Sequence, residues 1–101
     1  MINSLDNLKD STQLFNLENQ VALVTGGSKG LGFAMALGLA GAGANVAITS
    51  RNFDEAKVAA NEIEKLTDRK ILPISADATD QSQIQNSVSE TLSLFETINI
   101  L

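Results

Sequence analysis

Residues 21 to 32 constrain the fold more than any other part of this chain. Four consecutive apolar residues, Val21-Ala22-Leu23-Val24, run into Thr25-Gly26-Gly27-Ser28-Lys29-Gly30, and a new segment starts at Leu31-Gly32. An apolar run without alternation, stopped by glycines, suits a strand buried on both faces. Where such a turn opens a helix, free backbone N–H groups and the helix dipole both favour an anion. Gly26 suits a tight turn, Gly30 lets backbone approach a phosphate, and Gly32 lets the helix pack on the strand. The spacing is G-x-x-x-G-x-G, which is neither G-x-G-x-x-G nor a P-loop. A purely structural turn is the competing reading of these glycines.

Downstream, strand and helix patterns alternate. Leu31 to Ala42 reads as a helix with Leu31, Met35 and Leu39 at i, i+4, i+8. A small-residue row of Ala34, Gly38 and Ala42 lies beside them and would allow close approach to a sheet. Gly41 and Gly43 supply the stop. Asn45 to Thr49 reads as a second strand. Asn52 can cap the next helix, with Glu55 three residues on. Ala56, Ala59, Ala60, Ile63 and Leu66 make its apolar stripe, and Glu55, Lys57, Glu62, Glu64 and Lys65 form a solvated face. Ile71 to Ser75 is a third strand, and Pro73 places it at a sheet edge because it cannot donate to a ladder. Asp80 caps a third helix, with Gln83 at the matching position and Ile84, Val88, Leu92 and Phe95 as the apolar row. Ile98 to Leu101 begins a fourth apolar run.

The order β-α-β-α-β-α-β implies an α/β fold: a doubly wound parallel sheet covered by helices on both faces. Residues 1–15 form a polar tail, and 16–101 form the domain part. In a sheet of order 3-2-1-4, strand 1 pairs with strand 4, which here has barely begun. A chain ending at Leu101 would leave strand 1 with an apolar edge, so a longer protein is expected.

The end of the second strand carries Ser50-Arg51-Asn52. Dinucleotide folds often place an acid here to accept from the ribose 2′-OH. Arg51 cannot accept, but it can bind a 2′-phosphate through charge-assisted hydrogen bonds, and Lys29 can reach the same group. The expected cofactor is therefore NADP(H) rather than NAD(H); two solvated surface cations are the alternative. Asp77, at the carboxyl end of the third strand, can accept from the adenine amino group, with Ala78 beside it, or it can simply form a local turn.

Composition removes other chemistries. The chain has no Cys, His, Tyr or Trp among its 101 residues, so no Ser-His-Asp triad, Cys nucleophile or His/Cys metal site can be built from it. Seven Lys+Arg against twelve Asp+Glu give a net charge of −5, which disfavours nucleic acid as a partner. No charge occurs between Lys29 and Arg51, but five glycines in that stretch argue against a membrane span. No apolar run follows a basic start, and the expected location is the cytoplasm.

The segment 17–32 resembles the start of the short-chain dehydrogenase/reductase family. Its T-G-x-x-x-G-x-G pattern is matched by Thr25, Gly26, Gly30 and Gly32. Asp77-Ala78-Thr79-Asp80 resembles the family's D-x-T-D-like segment, and 95–101 resembles the approach to its N-N-A-G motif. The resemblance implies the N-terminal half of a Rossmann-type doubly wound sheet, and a nicotinamide-dependent oxidoreductase that moves hydride between the cofactor and a carbonyl or alcohol of a small molecule. It implies a cofactor grip made of Gly26, Ser28, Lys29, Gly30, Leu31 and Gly32 at the turn, Ser50 and Arg51 at the 2′-phosphate, and Asp77 and Ala78 at the adenine. The family's catalytic Asn, Ser, Tyr and Lys follow N-N-A-G, so no catalytic residue is assigned in this chain. A homo-oligomer is implied for the full-length protein. The opening residues look most like gluconate 5-dehydrogenase-type and 3-oxoacyl-carrier-protein reductase-type members. The rival readings are a non-catalytic NADP-binding module and an interaction domain that keeps the fold without the ligand.

Overall fold

Parallel strands cannot be joined by tight turns, so each crossover here carries a helix. The computed structural model describes residues 16–100; the tail expected at 1–15, and Leu101, lie outside the described residues. Strand β1 spans Val21–Val24, helix α1 Gly30–Gly41, β2 Asn45–Ser50, α2 Phe53–Thr67, β3 Ile71–Ser75 and α3 Gln81–Phe95. The three strands form one parallel sheet in the order β1-β2-β3. Ala22 lies opposite Val46, and Ile48 opposite Pro73, so Pro73 does sit on the edge strand.

The fourth apolar run reaches β1 on its free side. Ala22 forms a parallel bridge with Ile100, and the Leu23 N–H donates to the Ile100 carbonyl at 2.9 Å. The Val21 N–H donates to Asn99 Oδ1 at 2.9 Å. The expected order 3-2-1-4 is thus present at its start.

Alternation along β2 divides the core. Val46 and Ile48 face α1 and α2, in a cluster with Ala22, Val24, Ala36, Ala40 and Ile63. Ala47 packs on the other face with Leu23, Ile74, Ala76 and Val88 of α3. Helices on both faces make the sheet doubly wound. Full burial of a side chain such as Ile63 contributes about 1.5–3 kcal/mol relative to exposure.

The helices pack differently from their apolar patterns in three places. In α1 only Leu39 of the row Leu31, Met35, Leu39 packs against the core: Leu31 is 77% exposed and Met35 52%. The small-residue row of Ala34 and Gly38 is also exposed, and it is Ala36 and Ala40 that are buried. A helix that is apolar nearly all round gives periodicity little to choose between, and the sheet selects the face that allows the closest approach. In α2 the stripe holds through Ile63, but Leu66 is 65% exposed. Glu64 leaves the solvated face and accepts from the Ile71 N–H at 3.0 Å. In α3 the fully buried residues are Ser87 and Thr91, while Leu92 is largely exposed. Both hydroxyls donate to helix carbonyls at 2.7 Å, Ser87 to Ile84 and Thr91 to Ser87, so their burial leaves no orphaned group.

Both expected caps form. Asn52 Oδ1 accepts from the N–H groups of Asp54 and Glu55 at 2.9 and 3.3 Å. Asp80 Oδ1 accepts from those of Ser82 and Gln83 at 3.0 and 3.2 Å, and Gln83 Nε2 donates back to Asp80 Oδ2 at 3.2 Å. These caps fix where α2 and α3 begin, next to the carboxyl ends of the strands.

Candidate functional site

The turn between β1 and α1 is held from below by β2. Thr49 is fully buried, and its Oγ1 accepts from the Gly26 N–H at 3.2 Å. Its carbonyl accepts from the Gly27 N–H at 3.0 Å. Gly26 and Gly30 take φ of +67° and +56°, the left-handed region where a side chain is strained. Nothing lies within 4 Å of the Cβ position at either, so the space before them is open. Gly32 serves packing: a Cβ there would strike the Gly26 carbonyl. Gly27, which the motif reading did not single out, is pressed against Ile48, whose Cβ and Cγ2 lie 2.7 Å from where a Cβ would sit.

Helix α1 starts unlike the other two. Lys29 occupies its N-cap position with no side-chain cap, whereas the side chains of Asn52 and Asp80 cap α2 and α3. The first N–H groups of a helix have no intrahelical partner. Among the described residues no side chain caps this end, and open space lies before Gly26 and Gly30, an arrangement of the kind that favours an anion.

A cleft of about 660 Å³ lies beyond the carboxyl ends of the strands. It brings together Gly26, Ser28 and Lys29 from the turn, Ser50 at the end of β2 and Arg51 just after it, and Asp77 and Ala78 after β3. Leu31 and Gly32 line a neighbouring groove of about 380 Å³ with Leu23, Met35 and Ile100, and Gly26 borders both. Gly30 sits at the helix start, with open space before it. Asn52, Glu55 and Thr79 also line the larger cleft, although the sequence marked Asn52 as a helix cap and Glu55 as a capping partner on a solvated face.

The floor of the cleft is tied to the sheet. Ser50 is buried, and its Oγ accepts from the Asn52 N–H at 3.2 Å. Its carbonyl accepts from the Ala76 N–H at 2.9 Å. Asp77 makes the local turn: its Oδ1 accepts from the Thr79 N–H at 2.9 Å and from Thr79 Oγ1 at 2.7 Å. Those two bonds, backbone first, hold the Asp77 carboxyl below its ordinary value, and the Arg51 charge adds to them. Lys29 Nζ lies 3.3 Å from Glu55 Oε1, and both side chains are exposed. Among the described residues no three His, Cys, Asp or Glu side chains cluster as a metal site would need. No described helix is long and apolar enough to cross a membrane.

Open space before two left-handed glycines, uncapped helix N–H groups and two cations suit a dinucleotide with its phosphates. Together the sheet and cleft define a Rossmann-type α/β unit, whose ligands bind past the strand ends. More narrowly, the chain belongs to the short chain dehydrogenase family, whose profile matches residues 20–101. Members of that family are oxidoreductases that use nicotinamide cofactors. A peroxisomal 2,4-dienoyl-CoA reductase from Danio rerio is 39% identical over 85 residues, which are 84% of this chain and 28% of that protein. The crystal structure of a short-chain type dehydrogenase/reductase from Mycobacterium marinum superposes with a TM-score of 0.80 at 37% identity, covering 86% of this chain and 34% of that one. L-sorbose reductase from Gluconobacter frateurii, solved with NADPH and L-sorbose, gives 0.81 at 25% identity, covering 85% and 33%. The chain therefore spans about a third of the length of these relatives. Neither narrower subfamily expected from the opening residues is singled out by them.

Proposed function

We propose that this chain forms the adenosine and pyrophosphate grip of an NADP(H)-dependent oxidoreductase acting on a carbonyl or alcohol of a small molecule. One observation carries this reading: a single cleft gathers Gly26, Ser28 and Lys29 of the turn with Ser50 and Arg51 at the carboxyl ends of the strands. The NADPH in the sorbose reductase structure supports it. The bound cofactor would supply or accept the hydride. The N–H groups at the start of α1 would hold the pyrophosphate, with Gly26 and Gly30 keeping side chains out of its way. Lys29 and Arg51 would neutralise the 2′-phosphate. The oxygen of Asp77 left free by Thr79 would accept from the adenine amino group, beside Ala78. The whole protein would be a homo-oligomer, as the family resemblance implies.

The test is Arg51→Asp. A charge-assisted contact contributes about 1.5–3 kcal/mol, which is roughly a 10- to 100-fold effect. The ratio of NADP to NAD affinity is expected to fall by about that factor, read by titration of each nucleotide. An unchanged ratio would remove Arg51 from the 2′-phosphate site.

A further inference from the structure

We propose that Glu55 is a specificity-determining residue of this cleft: its carboxylate, 3.3 Å from Lys29 Nζ, competes with a 2′-phosphate for that ammonium and restrains the preference for NADP(H) over NAD(H). The inference rests on the reading of the cleft as an NADP(H) grip.

Four charged side chains line the cleft: Lys29 and Arg51 are cations, Glu55 and Asp77 anions. Their formal charges cancel, so the site is less cationic than Lys29 and Arg51 alone suggest. The two acids are held differently. Asp77 is committed to its turn through Thr79. Glu55 is placed by its backbone, whose N–H donates to the Asn52 cap at 3.3 Å in the first turn of α2. Among the described residues its side chain pairs with Lys29. A phosphate that engages Lys29 must share or displace that partner, and the carboxylate then stays in the same cleft as a like charge. The ribose of NAD(H) carries no charge at that position, so its binding depends less on Glu55. The helix start explains why an acid is tolerated here, because the α2 dipole favours a carboxylate in its first turn.

The pair is exposed, so the effect is modest. Exposed ion pairs of this kind correspond to about a 1.5- to 5-fold change in an equilibrium constant. The experiment titrates NADP+ and NAD+ separately into the full-length protein and its Glu55→Gln variant, at low and at high salt. Glu55→Ala serves as a second variant, and circular dichroism checks the fold of each. The expected result is NADP+ binding tightened by about 1.5- to 5-fold in both variants, NAD+ binding changed by less, and a gain that shrinks as salt rises. An unchanged ratio, an equal shift for both nucleotides, or weaker NADP+ binding would overturn the role of Glu55. A protein that binds NADP+ and responds to Arg51→Asp, yet ignores Glu55→Gln, loses only this inference. A protein that binds neither nucleotide loses the cofactor reading and this inference with it.

Discussion

Two glycines six positions apart in α1 should respond to alanine with opposite signs. At Gly32 a Cβ would meet the backbone of the phosphate turn: the Gly26 carbonyl oxygen, its carbon at 2.9 Å and the Gly27 Cα at 3.2 Å. Those atoms are not the ends of flexible side chains. The turn is anchored to Thr49 by the Gly26 and Gly27 N–H groups at 3.2 and 3.0 Å, so it can retreat only by stretching those bonds. Overpacking of this kind costs about 1–3 kcal/mol, and each hydrogen bond weakened adds up to about 1. The better helix propensity of alanine returns a little under 1 kcal/mol. Gly32→Ala is therefore expected to destabilise by about 1–3 kcal/mol net. At Gly38 nothing lies within 4 Å of the Cβ position, and the site is exposed. Gly38→Ala should stabilise by about 0.5–1 kcal/mol through propensity alone. Urea unfolding of the two variants beside the parent measures both. With a slope of about 1–3 kcal/mol per molar urea, the midpoints should move apart by roughly 0.5–4 M. A Gly32→Ala midpoint at or above that of Gly38→Ala would refute the close approach of α1 to the turn.

Two further outcomes follow from the same anchoring and from the caps. Thr49→Val removes the acceptor of the Gly26 N–H while keeping a β-branched residue in the strand, and is expected to cost about 1–2 kcal/mol in the same unfolding assay. Asp77 and Asp80 both titrate below the ordinary carboxyl value: Thr79 is the main cause at Asp77, and the Ser82 hydroxyl and the Gln83 N–H at Asp80. A carboxyl with a lowered folded pKa stabilises above its unfolded value, and that contribution is lost as pH falls through the folded one. Stability should therefore drop as pH falls below about 4. Asp80→Asn, which keeps a competent cap, should show a shallower acid loss in unfolding measured against pH.

Much of the fold was legible because its signals are local. Asn52 and Asp80 declare helix starts by chemistry that acts within three residues, and Pro73 declares an edge by lacking a donor. The glycine turn was legible because its backbone demands glycine at Gly26 and Gly30. What escaped was set by the partner surface. Ala36 and Ala40, rather than Leu31 and Met35, face the sheet because close approach outweighs side-chain size, and α1 offers apolar residues on every side. Ser87 and Thr91 could be buried because each hydroxyl bonds the carbonyl of its own helix, which a count of apolar positions does not register. Thr49 was read only as a strand residue, since its task depends on a turn more than twenty residues earlier. Glu55 looked like one more solvated acid, and only the cleft shows that it sits beside Lys29.

The central claim is that the cleft at the strand ends receives a dinucleotide phosphate at the start of α1. Its most direct test is amide chemical-shift mapping of the protein during titration with NADP+. Shifts should concentrate at Gly26, Ser28, Gly30, Leu31 and Gly32, with a second group at Ser50, Arg51 and Ala78. Saturable shifts confined to other surfaces, such as the groove between β3 and α3, or no shifts at millimolar NADP+, would contradict it.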